Sequence, residues 1–460
     1  MTVIVAVVLF FLGGLLLISF FFRERTETFL AYFLHSRQTT GFVLAMTLIA
    51  TYGSVSTFVS GPGLAWSYGL SWVVFAAPQI ITGFLILGVI GYKLSIVSRK
   101  IHAITIIDVI RARYDSSFLC AIIGVATLMF FLAMMAGQFT GGARILAYAT
   151  GYDYIIGLLI FGLTTVGFTT FGGFRAVVIT DTICAILMLI GMGFLIHAIV
   201  TQGGGMDQIG LTLSSRADIG ERFMSLDSGG HLPLGMLLSA WVLVGFATIA
   251  LPQSAVRCMA FEKPSDMRLA MLLGVIVCGL LMLGMTFVGV LVRAVIPDAS
   301  AFGQNTDNLI PYFICQKMNP WVAGITLIAP LAATMSTVSS LLISASSTLI
   351  KDLIDMNDKF RQESVFLAKI MTFVFGVLSI FLALDPLDVI AWINLFAFGG
   401  LEITYLTPLI GGLFWAKPND KAALASIVTG LVTYLICLGM SVHILGTHAI
   451  VPAVFVSCVV

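Results

Sequence analysis

The stretch Leu48–Gly63, "LIATYGSVSTFVSGPG", decides how the rest of the chain is read. It stands where a membrane-spanning helix is expected, yet it is poor in leucine. Thr51, Tyr52, Ser54, Ser56, Thr57 and Ser60 place hydroxyls along it, and Gly53, Gly61 and Pro62 loosen its backbone. Hydrocarbon offers no partner to a backbone N–H or C=O, so irregular helix survives at that depth only against protein or a water-filled cavity. A gapped, hydroxyl-bearing span therefore points to a transporter's binding site. Close packing through small residues explains the same composition equally well.

Composition supplies the setting. The chain is 59% hydrophobic and 10% charged, against about 25% charged for soluble domains. Apolar runs long enough to cross about 30 Å of hydrocarbon fall at 3–22, 41–60, 70–97, 118–143, 153–171, 177–201, 233–256, 269–292, 321–350, 365–384, 387–415 and 422–441. A thirteenth begins near Ile450 and is incomplete at Val460. The first run lacks a basic leader and a cleavage site, so it reads as a retained anchor. This is an all-α polytopic membrane protein with about 12–13 transmembrane helices.

Basic residues set the orientation. Of 23 lysines and arginines, 18 follow odd-numbered runs, Arg25, Arg37, Lys359 and Arg361 among them. That bias places those loops in the cytoplasm and the N-terminus outside it, in a plasma (inner) membrane. Two longer outer loops, Thr201–Leu232 and Pro297–Pro320, read as a partly helical cover and a short surface helix or lid.

A second interrupted run, "GFATIALPQSAVR", carries Gly245, Thr248 and Pro252 five spans after the first. An odd spacing gives the two halves opposite orientation, the layout that puts solute and ion at the midplane. In "LAATMSTVSSLLISASST", Leu331–Thr348, Ser336 and Thr337 lie side by side one turn from Ala333. Hydroxyls and loosened carbonyls supply hard oxygens for a dehydrated cation without fixed charge. Buried ionisable groups are candidates because each costs about 2.5–3.5 kcal/mol to insert. Glu402 is the deepest. Asp181, near the cytoplasmic face, reads as a helix N-terminal acid or a partner of Arg175, and Arg293 ends the eighth span outside. Both are candidates for coupling or gating.

Seven cysteines are scattered without CxxC pairs, which argues against zinc, redox or disulfide roles. No P-loop, HExxH or GxSxG occurs. An enzyme and an ATP-driven pump are both disfavoured, and no organic cofactor is implied.

At "TTFGGFRAVVITD" (Thr169–Asp181) and "MSTVSSLL" (Met335–Leu342) the chain resembles the sodium:solute symporter family. "GQFTGGARIL", "WINLFAFGGLE" and "GLFWAKPNDKAALA" extend the likeness from the second span to the twelfth, toward its pantothenate-carrying branch. The resemblance implies a LeuT-type inverted repeat of two five-helix bundles plus flanking helices. The corresponding divisions are a leading helix and loop (1–40), a first repeat (41–201), an outer loop (202–232), a second repeat (233–416) and trailing helices (417–460).

It further implies a co-transported sodium ion held by the carbonyls of Ala50, Gly53 and Ala333 and the hydroxyls of Ser336 and Thr337. Tyr52 replaces an aspartate of the proline-carrying branch, so that acid's role does not carry over. The expected function is sodium-coupled import of pantothenate by alternating access. A sodium- or proton-coupled symporter for another small carboxylate or amino acid is the nearest alternative, and a channel or sensor is more distant. Tyr52, Ser54, Gln79, Trp241, Gln253, Asn394 and Glu402 are the candidates for touching the solute, with no residue singled out for its carboxylate.

Overall fold

The computed structural model describes residues 2–23, 28–34, 37–216, 219–354, 365–385 and 389–460. Arg25, Lys359 and Arg361, used above for orientation, lie outside them. The spans are α1 (Thr2–Phe22), the broken pair α2 (Gly41–Tyr52) and α3 (Ser56–Tyr68), α4 (Leu70–Lys100), α5 (Ser117–Thr150) and α6 (Tyr154–Gln202). There follow the broken pair α7 (Leu234–Ala250) and α8 (Pro252–Met259), then α9 (Pro264–Val295), α10 (Pro320–Ile354), α11 (Val365–Leu382), α12 (Ile390–Phe414), α13 (Asp420–Gly439) and the short α14 (Ile450–Val459).

α6 unites two expected spans. Its 49 residues would reach about 74 Å if straight, far beyond one bilayer crossing. The runs 153–171 and 177–201 are joined by one left-handed glycine, Gly173 (φ 67°, ψ −173°), and not by a loop. A Cβ there would be strained and would press on the Tyr32 ring at 2.9 Å. Tyr32 donates to the Thr170 carbonyl at 3.2 Å beside the kink. Both ends of α6 lie on one face: Tyr154 donates to Ala383 beyond α11, and Gln202 to Lys317 before α10. Counting α6 twice and each broken pair once gives twelve crossings before α14.

The two breaks bend the chain by 64° between α2 and α3 and by 48° between α7 and α8. They stand five crossings apart, so the segments they open run in opposite directions through the membrane. Around them α10 packs against α6 and α5, and α9 against α2 and α3. Nearly all of α10 from Ala323 to Thr348 is buried, as a central span without lipid contact requires. Between α9 and α10, Leu309–Lys317 forms a short helix whose Leu309, Ile310, Phe313 and Ile314 pack inward. The loop between α6 and α7 holds helices Met206–Ser215 and Gly220–Met224.

Candidate functional site

Between α2 and α3 the backbone leaves the helix at Gly53 (φ −69°, ψ 115°), and the N–H groups released there find side-chain partners. The Val55 N–H donates to Gln138 Oε1 of α5 at 3.1 Å, the Ser54 N–H to Thr57 Oγ1 and the Ser56 N–H to Ser54 Oγ, both at 3.2 Å. The freed carbonyls turn toward α10. Ser336 Oγ donates to Ala50 O at 2.8 Å and lies 3.0 Å from Ala333 O. Thr337 Oγ1 lies 3.0 Å from Ala333 O, 3.2 Å from Gly53 O and 3.3 Å from Thr51 O.

The carbonyls of Ala50, Gly53 and Ala333 and the hydroxyls of Ser336 and Thr337 therefore form one buried cluster. A hard cation with oxygen ligands about 2.4 Å away sets neighbouring octahedral ligands about 3.4 Å apart. The spacings here are shorter by a few tenths of an ångström, so modest expansion would admit such an ion. The cluster has no formal charge, which suits a monovalent cation better than a divalent one.

Beside this cluster is a cavity with about 80 Å³ open to the centres of water-sized spheres. Tyr52, Ser54, Ser56 and Thr57 line it from the α2–α3 break, Trp72, Phe75 and Gln79 from α4, Met282 and Thr286 from α9, and Asn394 and Phe398 from α12. No charged side chain is among its walls. Gln138 and Asn394 brace it: Gln138 Nε2 donates to Asn394 Oδ1 at 3.2 Å, and Asn394 donates to Ser56 Oγ. Trp72 stacks on Phe75 with centroids 4.6 Å apart and meets Trp392 edge-on at 6.0 Å.

The structure brings Tyr52, Ser54, Gln79 and Asn394 together in this wall and leaves three other candidates out of it. Trp241 points outward from α7 and is 53% exposed. Gln253 is buried in α8, where its carbonyl accepts from Arg257 at 2.6 Å. Glu402 is fully buried one turn beyond Phe398 and does not reach the cavity.

Asp181 pairs with Arg257, not with Arg175. Its Oδ2 accepts from Arg257 Nη2 at 3.1 Å and from Thr47 Oγ1 at 2.6 Å. Arg257 Nε also donates to Thr47 Oγ1 at 3.1 Å, and its Nη2 to Ser340 Oγ. Ser340 Oγ is 2.9 Å from Thr51 Oγ1 and donates to Ser336 O at 2.7 Å. One buried ion pair thus ties α2, α6, the end of α8 and α10 together, a single helical turn from the oxygen cluster.

Further along α5, Arg144 meets Asp307 at 2.7 Å, and Asp307 also accepts from Ile390 N at the start of α12 at 3.2 Å. Burial pushes the Asp307 carboxyl above the usual carboxylate range, and Arg144 pulls it part of the way back. The Arg293 guanidinium sits 3.7 Å over the Trp66 ring, whose Nε1 donates to Ile296 O at 2.7 Å. This pins α3 to the end of α9.

Sequence reasoning missed Trp72, Phe75 and Phe398, because an aromatic in an apolar run carries no mark of the side it faces. The bracing by Gln138 was open to detection as a fully buried amide facing a gapped span.

Comparisons with known proteins agree with this architecture. The family model described as "Sodium:solute symporter family" matches residues 32–430. The sodium/pantothenate symporter of Haemophilus influenzae is 38% identical, covering 96% of this chain and 91% of its own. That of Escherichia coli is 40% identical, covering 95% and 90%. Among solved structures, a Na+-coupled sialic acid symporter in a substrate-bound outward-open state superposes with a TM-score of 0.78 at 20% identity, covering 100% of this chain and 98% of its own. That likeness shows the fold, the LeuT-type inverted repeat.

Proposed function

We propose, because the chain belongs to the sodium:solute symporter family, that it imports pantothenate together with sodium by alternating access. Members of this family are sodium-coupled carriers, so the chain is a multi-pass membrane transporter and not an enzyme, and sodium is co-transported. The observation that carries the reading is the uncharged five-oxygen cluster built from the same helix break that lines the solute cavity.

In this reading sodium sits among Ala50, Gly53, Ala333, Ser336 and Thr337. Its arrival holds the broken span against α10 and fixes the wall that Ser54, Ser56 and Thr57 present to the solute. A carboxylate needs positive potential, and no basic side chain lines the cavity. The start of α3 supplies it, since a helix N-terminus carries partial positive charge, with three hydroxyls there to donate. The solute's geminal methyl groups pack against Trp72, Phe75 and Phe398. Its amide and hydroxyls bond to Gln79 and Asn394.

Release inward requires the Asp181–Arg257 network to part, and entry from outside requires the Arg144–Asp307 contact and the Trp72–Trp392 lid to open. In the same reading the repeats occupy 41–201 and 233–416, and the N-terminus lies outside, as the basic residues favour.

The test is uptake of labelled pantothenate into proteoliposomes with and without an inward sodium gradient. Sodium-dependent uptake, suppressed by unlabelled pantothenate and not by other small carboxylates, is expected. Sodium-independent uptake refutes the coupling, and absence of competition by pantothenate refutes the solute.

A further inference from the structure

Glu402 belongs neither to the cavity wall nor to the oxygen cluster. It stands midway along α12 with 0% exposure. Among the described residues no N–H or O–H reaches either of its carboxyl oxygens. Among the described residues, Tyr52 of α2 and Tyr434 of α13 are titratable groups near enough to feel its charge. Both are committed elsewhere: Tyr52 donates to Val244 O at 3.3 Å, and Tyr434 to Leu395 O and Phe396 O at 3.3 and 3.1 Å.

Among the described residues, the other elements packed on α12 bring no compensating charge to this level. From α5, Phe130 lies against Gly400. The α7 segment 246–250, "FATIA", has no ionisable side chain. Arg113 bonds to Gly412 O at the far end of α12, and Asp307 to Ile390 N at its start.

An ionised carboxylate buried without donors carries a desolvation cost of several kcal/mol. A neutral acid needs only one acceptor for its O–H. Glu402 also lies near the cavity wall and the broken span. Phe398, one turn earlier, lines the cavity, and α12 packs on segment 246–250 of the broken span α7.

We propose that Glu402 is a proton-binding site. Its carboxylic acid stays neutral while α7 and α12 are closed on each other. When they part, water admitted from the cytoplasm takes the proton as the O–H bond breaks, and the electron pair stays on the carboxylate. Ionisation then favours the hydrated, inward-open form, so the carrier senses internal pH. This second step rests on the alternating-access reading, whereas the neutral acid at rest does not.

The test compares wild type with E402Q, which keeps a neutral side chain of the same length. Infrared difference spectra of the resting proteins at neutral pH should show the C=O band of a protonated acid in wild type and its loss in E402Q. In proteoliposomes at fixed sodium gradient, wild-type uptake should fall as internal pH rises, by up to about tenfold per pH unit for one proton. The E402Q profile should be flat. No difference band overturns the neutral acid at rest, and the same pH profile in both proteins overturns the pH sensing. If E402Q does not reach the membrane, E402M is the second neutral variant. Failure of both to fold also overturns it, because a group carried neutral tolerates neutral replacement. A difference band with no pH profile confines the failure to the transport step.

Discussion

Thr337→Val removes one oxygen from the cluster and keeps the side chain's shape, so it isolates the hydroxyl. That oxygen lies within 3.0–3.3 Å of three carbonyls, on Ala333, Gly53 and Thr51. With sodium bound it turns a lone pair to the ion, a contact comparable with a hydrogen bond to a charged group, about 1.5–3 kcal/mol. At about 1.4 kcal/mol per tenfold, the sodium concentration for half-maximal uptake should rise about 10- to 150-fold. Without sodium the variant also leaves the Gly53 and Thr51 carbonyls without this donor, which loosens the break by about 1 kcal/mol.

Ser336→Ala should act in the same direction. Because Ser336 and Thr337 share Ala333 O, the double variant should cost less than the sum of the singles. Thr337→Ser keeps the oxygen and should stay near wild type. The assay is initial uptake against external sodium at saturating solute, in proteoliposomes with matched protein content. A double variant whose half-saturating sodium stays within about twofold of wild type would refute a cation site at these oxygens.

Other consequences can be read separately. Arg257→Gln leaves Asp181 buried and unpaired, which should cost about 3–5 kcal/mol and lower the unfolding temperature in detergent; adding Asp181→Asn should recover most of that loss. Asn394→Ala removes a cavity donor and unseats Ser56, and should raise half-saturating solute about tenfold by the usual cost of a lost buried bond; Trp241→Ala, outside the cavity wall, should leave it unchanged. Gly289→Ala would place a Cβ 2.1 Å from Pro62 O, so α3 and α9 must separate, a cost of about 1–3 kcal/mol seen as lowered thermal stability.

What the sequence reveals here depends on whether a residue's role is set by its own stretch of chain or by the rotation of a distant helix. The break at Gly53 is local: glycine, serine and threonine in a span either pack or open, and the open backbone then dictates which carbonyls are free. Ser336 and Thr337 are adjacent on α10, and the family motifs point to their partners. So the cluster could be written down before any coordinates, Thr51 O excepted.

The cavity is different. Tyr52, Ser54, Gln79 and Asn394 face it while Trp241, Gln253 and Glu402 do not, and no periodicity separates them, because polar groups in membranes serve helix packing as readily as solute binding. Asp181 shows the limit most sharply. Arg175 is six positions away in sequence, yet the true partner, Arg257, is 76 away, reached only because α6 folds back at Gly173 and α8 ends beneath the oxygen cluster.

That placement has a physical sense the sequence hides. An uncharged cation site cannot tolerate a bare guanidinium one helical turn away, since the two positive charges repel strongly in a dry interior. Asp181 cancels that charge, and Ser340 links the pair to Ser336 and Thr51. The same contacts hold α2, α6 and α10 together. If sodium occupies the oxygen cluster as proposed, its loss and the loosening of this contact are joined through one chain of hydrogen bonds, which is the linkage an importer needs if solute is to leave only after the ion does.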